Sequence, residues 1–252
     1  VKGNFNAVKT ASDGTTAEPV ITFTGGKATV SLMDGESITI KGIAANVSYT
    51  VTEEAVDGFA AAKTGDTGSI SSAATPEAAF TNTRETGDLE VTKTVESDLA
   101  ADKDQSFTFT VTLSDTTISG TYGDMSFVNG VATVTLKDGG SAEATGLPTT
   151  VGYTVTETAA DGFTTTKTGD TGSVSTTAST AAFTNTRETG DLEVTKTVES
   201  DLAADKDQSF TFTVTLGDTT ISGTYGDMTF AAGVAEVTLK DGESAKAEGL
   251  PT

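Results

Sequence analysis

The sequence has no cysteine, no histidine and no tryptophan. Without cysteine there is no disulfide and no thiolate chemistry, and without histidine the usual zinc sites and imidazole-based catalysis fall away as well. Any covalent reinforcement must come from other side chains. Aromatic residues make up 6% of the 252 residues and proline occurs four times. No apolar run approaches the ~20 residues of a membrane-spanning helix. There is no signal peptide, and the first Met is Met33, so the chain reads as an interior segment of a longer protein. Positive charge is also scarce. The 15 Lys and Arg stand against 36 Asp and Glu, for a formal net charge of −21. Such a field disfavours nucleic acid and anionic membrane as partners and keeps an extended protein soluble.

What is present is repetition. Residues 78–113 recur letter for letter at 181–216, and self-similarity at a fixed spacing of this length marks tandem domains, not solenoid turns. "YTVTE" begins at Tyr49 and again at Tyr153, each followed by "DGF" and "KTGDTGS". "FTNTRETGDLEVTKTV" closes one unit and opens the next. The junctions fall near Thr86 and Thr189, with short linkers free of Pro/Ser tracts. This predicts a first domain over 1–86 that lacks its opening strand, a complete domain over 87–189, and a third over 190–252 that stops before its last strands.

Within the complete unit, "LEVTKTV", "SFTFTVTL", "VATVTL", "GYTVTE" and "AAFTNT" alternate apolar and Thr-rich polar positions between turn clusters. "SDLAADKD" is long enough for a single helical turn. Roughly seven short antiparallel strands in about 100 residues predict an all-β fold, a series of immunoglobulin-like β-sandwiches.

The alternation breaks in one respect. Leu89, Val91 and Val95 share a face with Lys93, because side chains in a strand alternate with period 2. The lysine therefore points inward, where an unpaired ammonium costs several kcal/mol and is driven toward neutrality. By the same rule Tyr153 and Val155 share a face with Glu157, and Ala181 and Phe183 with Asn185. A buried amine, a buried acid and a carboxamide are the groups needed to form an amide between side chains. Desolvation supplies the neutral nucleophile, the acid polarises the amide carbonyl and shuttles protons, and proximity drives a single turnover. The bland alternative is a structural Lys93–Glu157 ion pair beside a satisfied core amide, although buried pairs seldom repay their desolvation. For Glu157 there is a second alternative, a strand-end carboxylate that reaches solvent.

The "VTKTV" first strand, "YTVTE" strand and "FTNT" last strand together resemble the CnaB-type domains of Gram-positive surface adhesins and pilins, over essentially the whole chain. The resemblance implies an isopeptide bond between Lys93 and Asn185, with Glu157 as the catalytic acid. It also implies an extracellular location on a cell-wall-anchored protein and a role as a structural stalk, with neighbouring domains of the same polypeptide as partners. A host ligand would be met through a tip domain outside this sequence. The flanking units hold partial sets: Glu53 and Asn82 in the first, with Glu54 as a one-residue register alternative, and Lys196 alone in the third. Lys9 shares a face with Phe5 and Ala7 and offers the first unit an amine if that unit is a shorter variant; "FNAVKT" aligns better with "FTFTVTL". The rival functional reading is an adhesive module that binds a host protein or glycan directly, which the lack of a Tyr, Trp or Arg cluster disfavours.

Other motifs carry little. "KTG" at Lys63 and Lys167 matches one element of a penicillin-binding signature, but no S-x-x-K accompanies it, so a hairpin turn is expected. "LPT" at Leu147 and Leu250 lacks the following Gly of a sortase signal. Asp66 and Asp170 sit in spacing that matches no calcium loop. Neither cofactor nor metal is expected, and nothing in the sequence points to a turnover enzyme.

Overall fold

The alternating Thr and apolar residues fold as strands joined by Gly-rich turns, and the helices are two single turns. The computed structural model describes residues 1–252, in two units, Val1–Thr83 and Arg84–Thr252.

The first unit contains β1 (Gly3–Thr10), β2 (Thr16–Ala17), β3 (Val20–Phe23), β4 (Ser37–Ile40), β5 (Ser48–Thr50), β6 (Phe59–Thr64), β7 (Thr67–Ser69) and β8 (Ala79–Arg84). Asp13 accepts hydrogen bonds from the Thr15 amide and hydroxyl, the turn that Asp115–Thr117 and Asp218–Thr220 repeat. By that turn β1 corresponds to "FTFTVTL". It nevertheless pairs with β4, whose counterparts in the other two units pair with the "LEVTKTV" strand. Beside β4, β1 thus occupies the position that the "LEVTKTV" strand occupies beside Ser141–Pro148 and Ser244–Pro251. Few side chains of this unit are covered, and Ala7 is its one apolar residue that is fully buried.

The second unit begins with β9 (Thr86–Glu96), α1 (Ala100–Asp104), β10 (Phe107–Leu113), β11 (Gly120–Tyr122), β12 (Met125–Phe127), β13 (Val131–Leu136), β14 (Ser141–Pro148), β15 (Gly152–Glu157), β16 (Phe163–Thr168), β17 (Thr171–Ser173) and β18 (Ser179–Arg187). The third repeat adds β19 (Thr189–Thr195), α2 (Ala203–Lys206), β20 (Phe210–Thr215), β21 (Gly223–Tyr225), β22 (Met228–Phe230), β23 (Val234–Leu239) and β24 (Ser244–Pro251).

The complete repeat is an immunoglobulin-like β-sandwich, with one sheet ordered β14-β9-β18-β16 and the other β13-β10-β15-β17. Leu89, Val91, Ala181 and Phe183 from the first sheet meet Phe109, Val111, Tyr153 and Val155 from the second in one core. Phe109 and Phe183 stack edge to face at 5.1 Å between centroids, a favoured aromatic geometry. The strand count and direction differ from the expectation of roughly seven antiparallel strands. There are ten, because "GTY", "MSF" and "TGS" are too short for alternation to reveal them, and β9 and β18 run parallel. Gly87, at the start of β9, lies where an added Cβ would run into the Ser175 carbonyl oxygen, so the strand enters beneath the loop that follows β17.

Both "KTG" phrases are hairpin turns. Lys167 pairs with Asp170 at 2.7 Å and Lys63 with Asp66 at 2.8 Å, and Gly169 supplies the left-handed φ of 66° that a side chain would resist. "LPT" at Leu147 ends β14 with the leucine buried. No helix is long and apolar enough to cross a membrane.

Candidate functional site

Three strands converge on one buried polar cluster in the complete repeat. In the parallel ladder Phe183 sits opposite Lys93, and Asn185 opposite Val95. Lys93 and Asn185 thus project from neighbouring strands onto the same inner face, two residues apart along the ladder. Glu157 comes from the facing sheet, at the end of β15 and opposite Phe109 of β10. Lys93 is 1% exposed and Asn185 0%, and the Glu157 side chain is 4% exposed, so it does not reach solvent.

Glu157 Oε1 lies 2.9 Å from Lys93 Nζ and accepts a hydrogen bond from Asn185 Nδ2 at 2.8 Å. One carboxylate oxygen touches both the amine and the amide nitrogen. Lys93 Nζ has no other polar partner, and neither does Glu157 Oε2. The Lys93 amine also lies 4.3 Å from the centre of the Phe107 ring. Burial pushes the lysine below its ordinary pKa, partly offset by its contact with Glu157 and by the charge of Asp138. That direction favours the nucleophilic form.

The fourth member was not anticipated from the sequence. Thr165 of the edge strand β16 stands opposite Asn185 in the ladder, and its hydroxyl donates to Asn185 Oδ1 at 2.8 Å. The carboxamide is therefore held the other way round from the sequence-based expectation: the threonine, not the glutamic acid, contacts the carbonyl, and the glutamate holds the nitrogen. The cross-strand register decides this. A signal was available, since Thr165 shares a face with Phe163 by alternation, but a Thr-rich strand offers many such candidates.

The partial sets behave differently. In the first unit Asn82 Nδ2 donates to Glu53 Oε1 at 2.7 Å in an exposed setting, which selects Glu53 over its neighbour Glu54 for this contact. Lys9 is engaged elsewhere, 2.7 Å from Glu36 Oε2 and donating to the Ser31 carbonyl at 3.3 Å. Ala61 occupies the position corresponding to Thr165. In the third unit Lys196 lies 4.3 Å from the Phe210 ring centre, the same arrangement as Lys93 over Phe107. No group of three or more His, Cys, Asp or Glu side chains is placed to hold a metal ion.

A family model described as a domain of unknown function, DUF7601, matches three times, over residues 1–84, 87–187 and 190–252. The chain belongs to this family. No curated protein matches the DUF7601 chain. Among solved structures it is similar to a pilus-presented adhesin, with 28% identity and a TM-score of 0.35 over 40% of this chain and 27% of that one. It is also similar to the major pilin T3.2 of Streptococcus pyogenes, with 18% identity and a TM-score of 0.44 over 74% of this chain and 91% of the pilin. The T-13 major pilin of the same species gives 17% identity and a TM-score of 0.43 over 74% and 90%. The DUF7601 chain thus spans about a quarter of the adhesin's length.

Proposed function

We propose that the chain is a structural stalk segment of a bacterial surface protein or pilus-like fibre, built of CnaB-type domains, and that its complete repeat is locked by a self-generated Lys93–Asn185 isopeptide bond. The observation that carries this reading is the shared contact of Glu157 Oε1 with Lys93 Nζ at 2.9 Å and Asn185 Nδ2 at 2.8 Å, in a dry core.

The chemistry follows from those contacts. Glu157 takes a proton from the Lys93 ammonium, whose pKa burial lowers. The amine attacks Asn185 Cγ, and the charge developing on Oδ1 is met by the Thr165 hydroxyl. The protonated Glu157 then delivers its proton to Nδ2 and recovers one from Nζ. The C–Nδ2 bond breaks, the C–Nζ bond remains, and ammonia leaves. One amine and one carboxamide become one secondary amide and one ammonia, with no cofactor consumed.

The mechanical sense comes from the parallel pairing. The chain enters the repeat at the start of β9 and leaves at the end of β18, so tension on its ends pulls two neighbouring parallel strands in opposite directions. A bond between Lys93 and Asn185 carries that load directly from one strand to the other, and the rest of the sandwich is bypassed. On this reading the protein sits outside the cell, anchored to the wall of a Gram-positive bacterium, and catalyses nothing beyond its own single cross-link.

High-resolution mass spectrometry of the intact, folded chain tests it. The expected mass is lower than that of the sequence by one ammonia, and digestion yields one branched peptide joining Lys93 to Asn185. An unshifted mass in folded protein refutes the cross-link.

A further inference from the structure

The same eight residues, "SDLAADKD", occur at 97–104 and 200–207, and they fold the same way twice. Ser97 donates to Asp102 at 2.5 Å and accepts from the Leu99 amide at 3.1 Å. Ser200 donates to Asp205 at 2.6 Å and accepts from the Leu202 amide at 3.1 Å. The leucines have nearly the same backbone angles, φ −83° and ψ 122° at Leu99 against φ −90° and ψ 121° at Leu202. Their surroundings differ completely. Leu99 is 8% exposed and Leu202 65%.

The burial of Leu99 does not come from its own repeat. It belongs to the apolar cluster of the following one, with Ile221, Met228, Phe230 and Leu250. The joint is framed by Asp98 of the donating turn and, on the receiving side, by Tyr225, Gly226, Glu248 and Gly249. Arg187, at the exit of the donating repeat, lies 3.6 Å from Asp102 of the turn and braces it from behind. The receiving hairpin is repeated as well, since "GTYGDM" occurs at 120–125 and at 223–228.

We propose that this turn is a plug by which one repeat docks into the next, and that Leu202 is the same plug unfilled, its partner being the receiving hairpin of a further repeat that follows on the same polypeptide. The turn is held by its own hydrogen bonds whether or not it is docked, so the leucine is presented in advance and little conformational freedom is lost on docking. Burying one leucine at each joint couples neighbouring repeats independently of any cross-link inside them. It gives a stalk resistance to bending as well as to extension.

The absence of native cysteine makes thiol labelling a clean test. Leu99→Cys and Leu202→Cys are made separately in the full chain, and reaction with a maleimide is followed by mass. The thiol at 99 should react at least about tenfold more slowly than the thiol at 202, because reaction at a buried position waits on local opening. A second chain, extended after Thr252 by a copy of residues 150–252, gives the turn at 202 a following repeat to dock into, and the thiol at 202 should become as slow as that at 99. Leu99→Ala in the full chain provides a second readout, raising amide exchange across 190–252, whereas Leu202→Ala leaves it unchanged. Equal labelling at 99 and 202 in the full chain, or a thiol at 202 that stays reactive in the extended chain, overturns the proposal. So does protection of the thiol at 202 that grows with protein concentration, which would give the plug to a second chain instead.

Discussion

Replacing Asn185 by Ala removes the acyl group of the proposed cross-link but leaves the Lys93–Glu157 contact at 2.9 Å in place. It is therefore a gentler perturbation than deleting either charged partner. The bond would close a loop of 93 residues, Lys93 through Asn185. Constraining a loop of that size in the unfolded chain is worth about 4.6 kcal/mol by the chain-entropy relation used for disulfides. The variant also orphans the Thr165 hydroxyl and one acceptor site on Glu157, which adds about 1–3 kcal/mol of local cost. The total, about 6–8 kcal/mol, is a large part of the ~5–15 kcal/mol that holds a typical domain together. Amide exchange read by mass spectrometry on peptides from β9, β10 and β18 reports the opening of this repeat within the full chain. The entropic part alone corresponds to a little over three decades of protection. Thr165→Val, taken after its mass shows the cross-link complete, serves as a reference for the local cost, because it removes the hydroxyl without removing the acyl group. If Asn185→Ala lacks the ammonia loss by construction and yet matches the wild type in protection to within a decade, the covalent tie is not what secures this repeat, and the load-bypass argument falls with it.

Three further outcomes follow from the same geometry. Glu157→Gln should fold without cross-linking and leave an unpaired, buried amine. Since burial sets the folded pKa of Lys93 below its ordinary 10.5, the cost of the buried ammonium is full below that folded value. It is relieved as pH rises toward 10.5, so stability should climb with pH by at most about 1.4 kcal/mol per unit. Urea titrations against Lys93→Met/Glu157→Gln, in which the amine is gone, check this, and equal pH slopes refute it. Thr165→Val should slow amide formation by about a hundredfold or more, the usual consequence of losing one donor at a developing oxyanion. A mass time course after cell-free synthesis measures it, and an unchanged rate shows that the hydroxyl is a bystander. Gly87→Ala should destabilise the complete repeat by about 1–3 kcal/mol through its clash with the fixed Ser175 carbonyl. At the corresponding Gly190→Ala the new Cβ meets only the Thr252 methyl, at 3.3 Å, and a smaller loss is expected in a paired denaturation experiment.

Much of this molecule was legible in its sequence because period-2 alternation is a local property. Leu89, Val91 and Val95 set the inner face of β9 and so fixed which way Lys93 points, and the same rule placed Glu157 and Asn185 inward. The exact recurrence of residues 78–113 at 181–216 was visible without any contact. What alternation cannot supply is register and neighbours, since these depend on which strand pairs with which and by how many residues they are offset. The parallel pairing of β9 with β18, which sets Lys93 and Asn185 two residues apart, is a consequence of closing the sandwich. So is the ladder that brings Thr165 onto the Asn185 carbonyl and turns the carboxamide nitrogen toward Glu157. The clearest case is the turn at Leu99 and Leu202. Eight identical residues make the same two serine hydrogen bonds, as local sequence dictates, yet one leucine is buried and the other exposed, because burial is decided by surfaces that lie outside the segment itself.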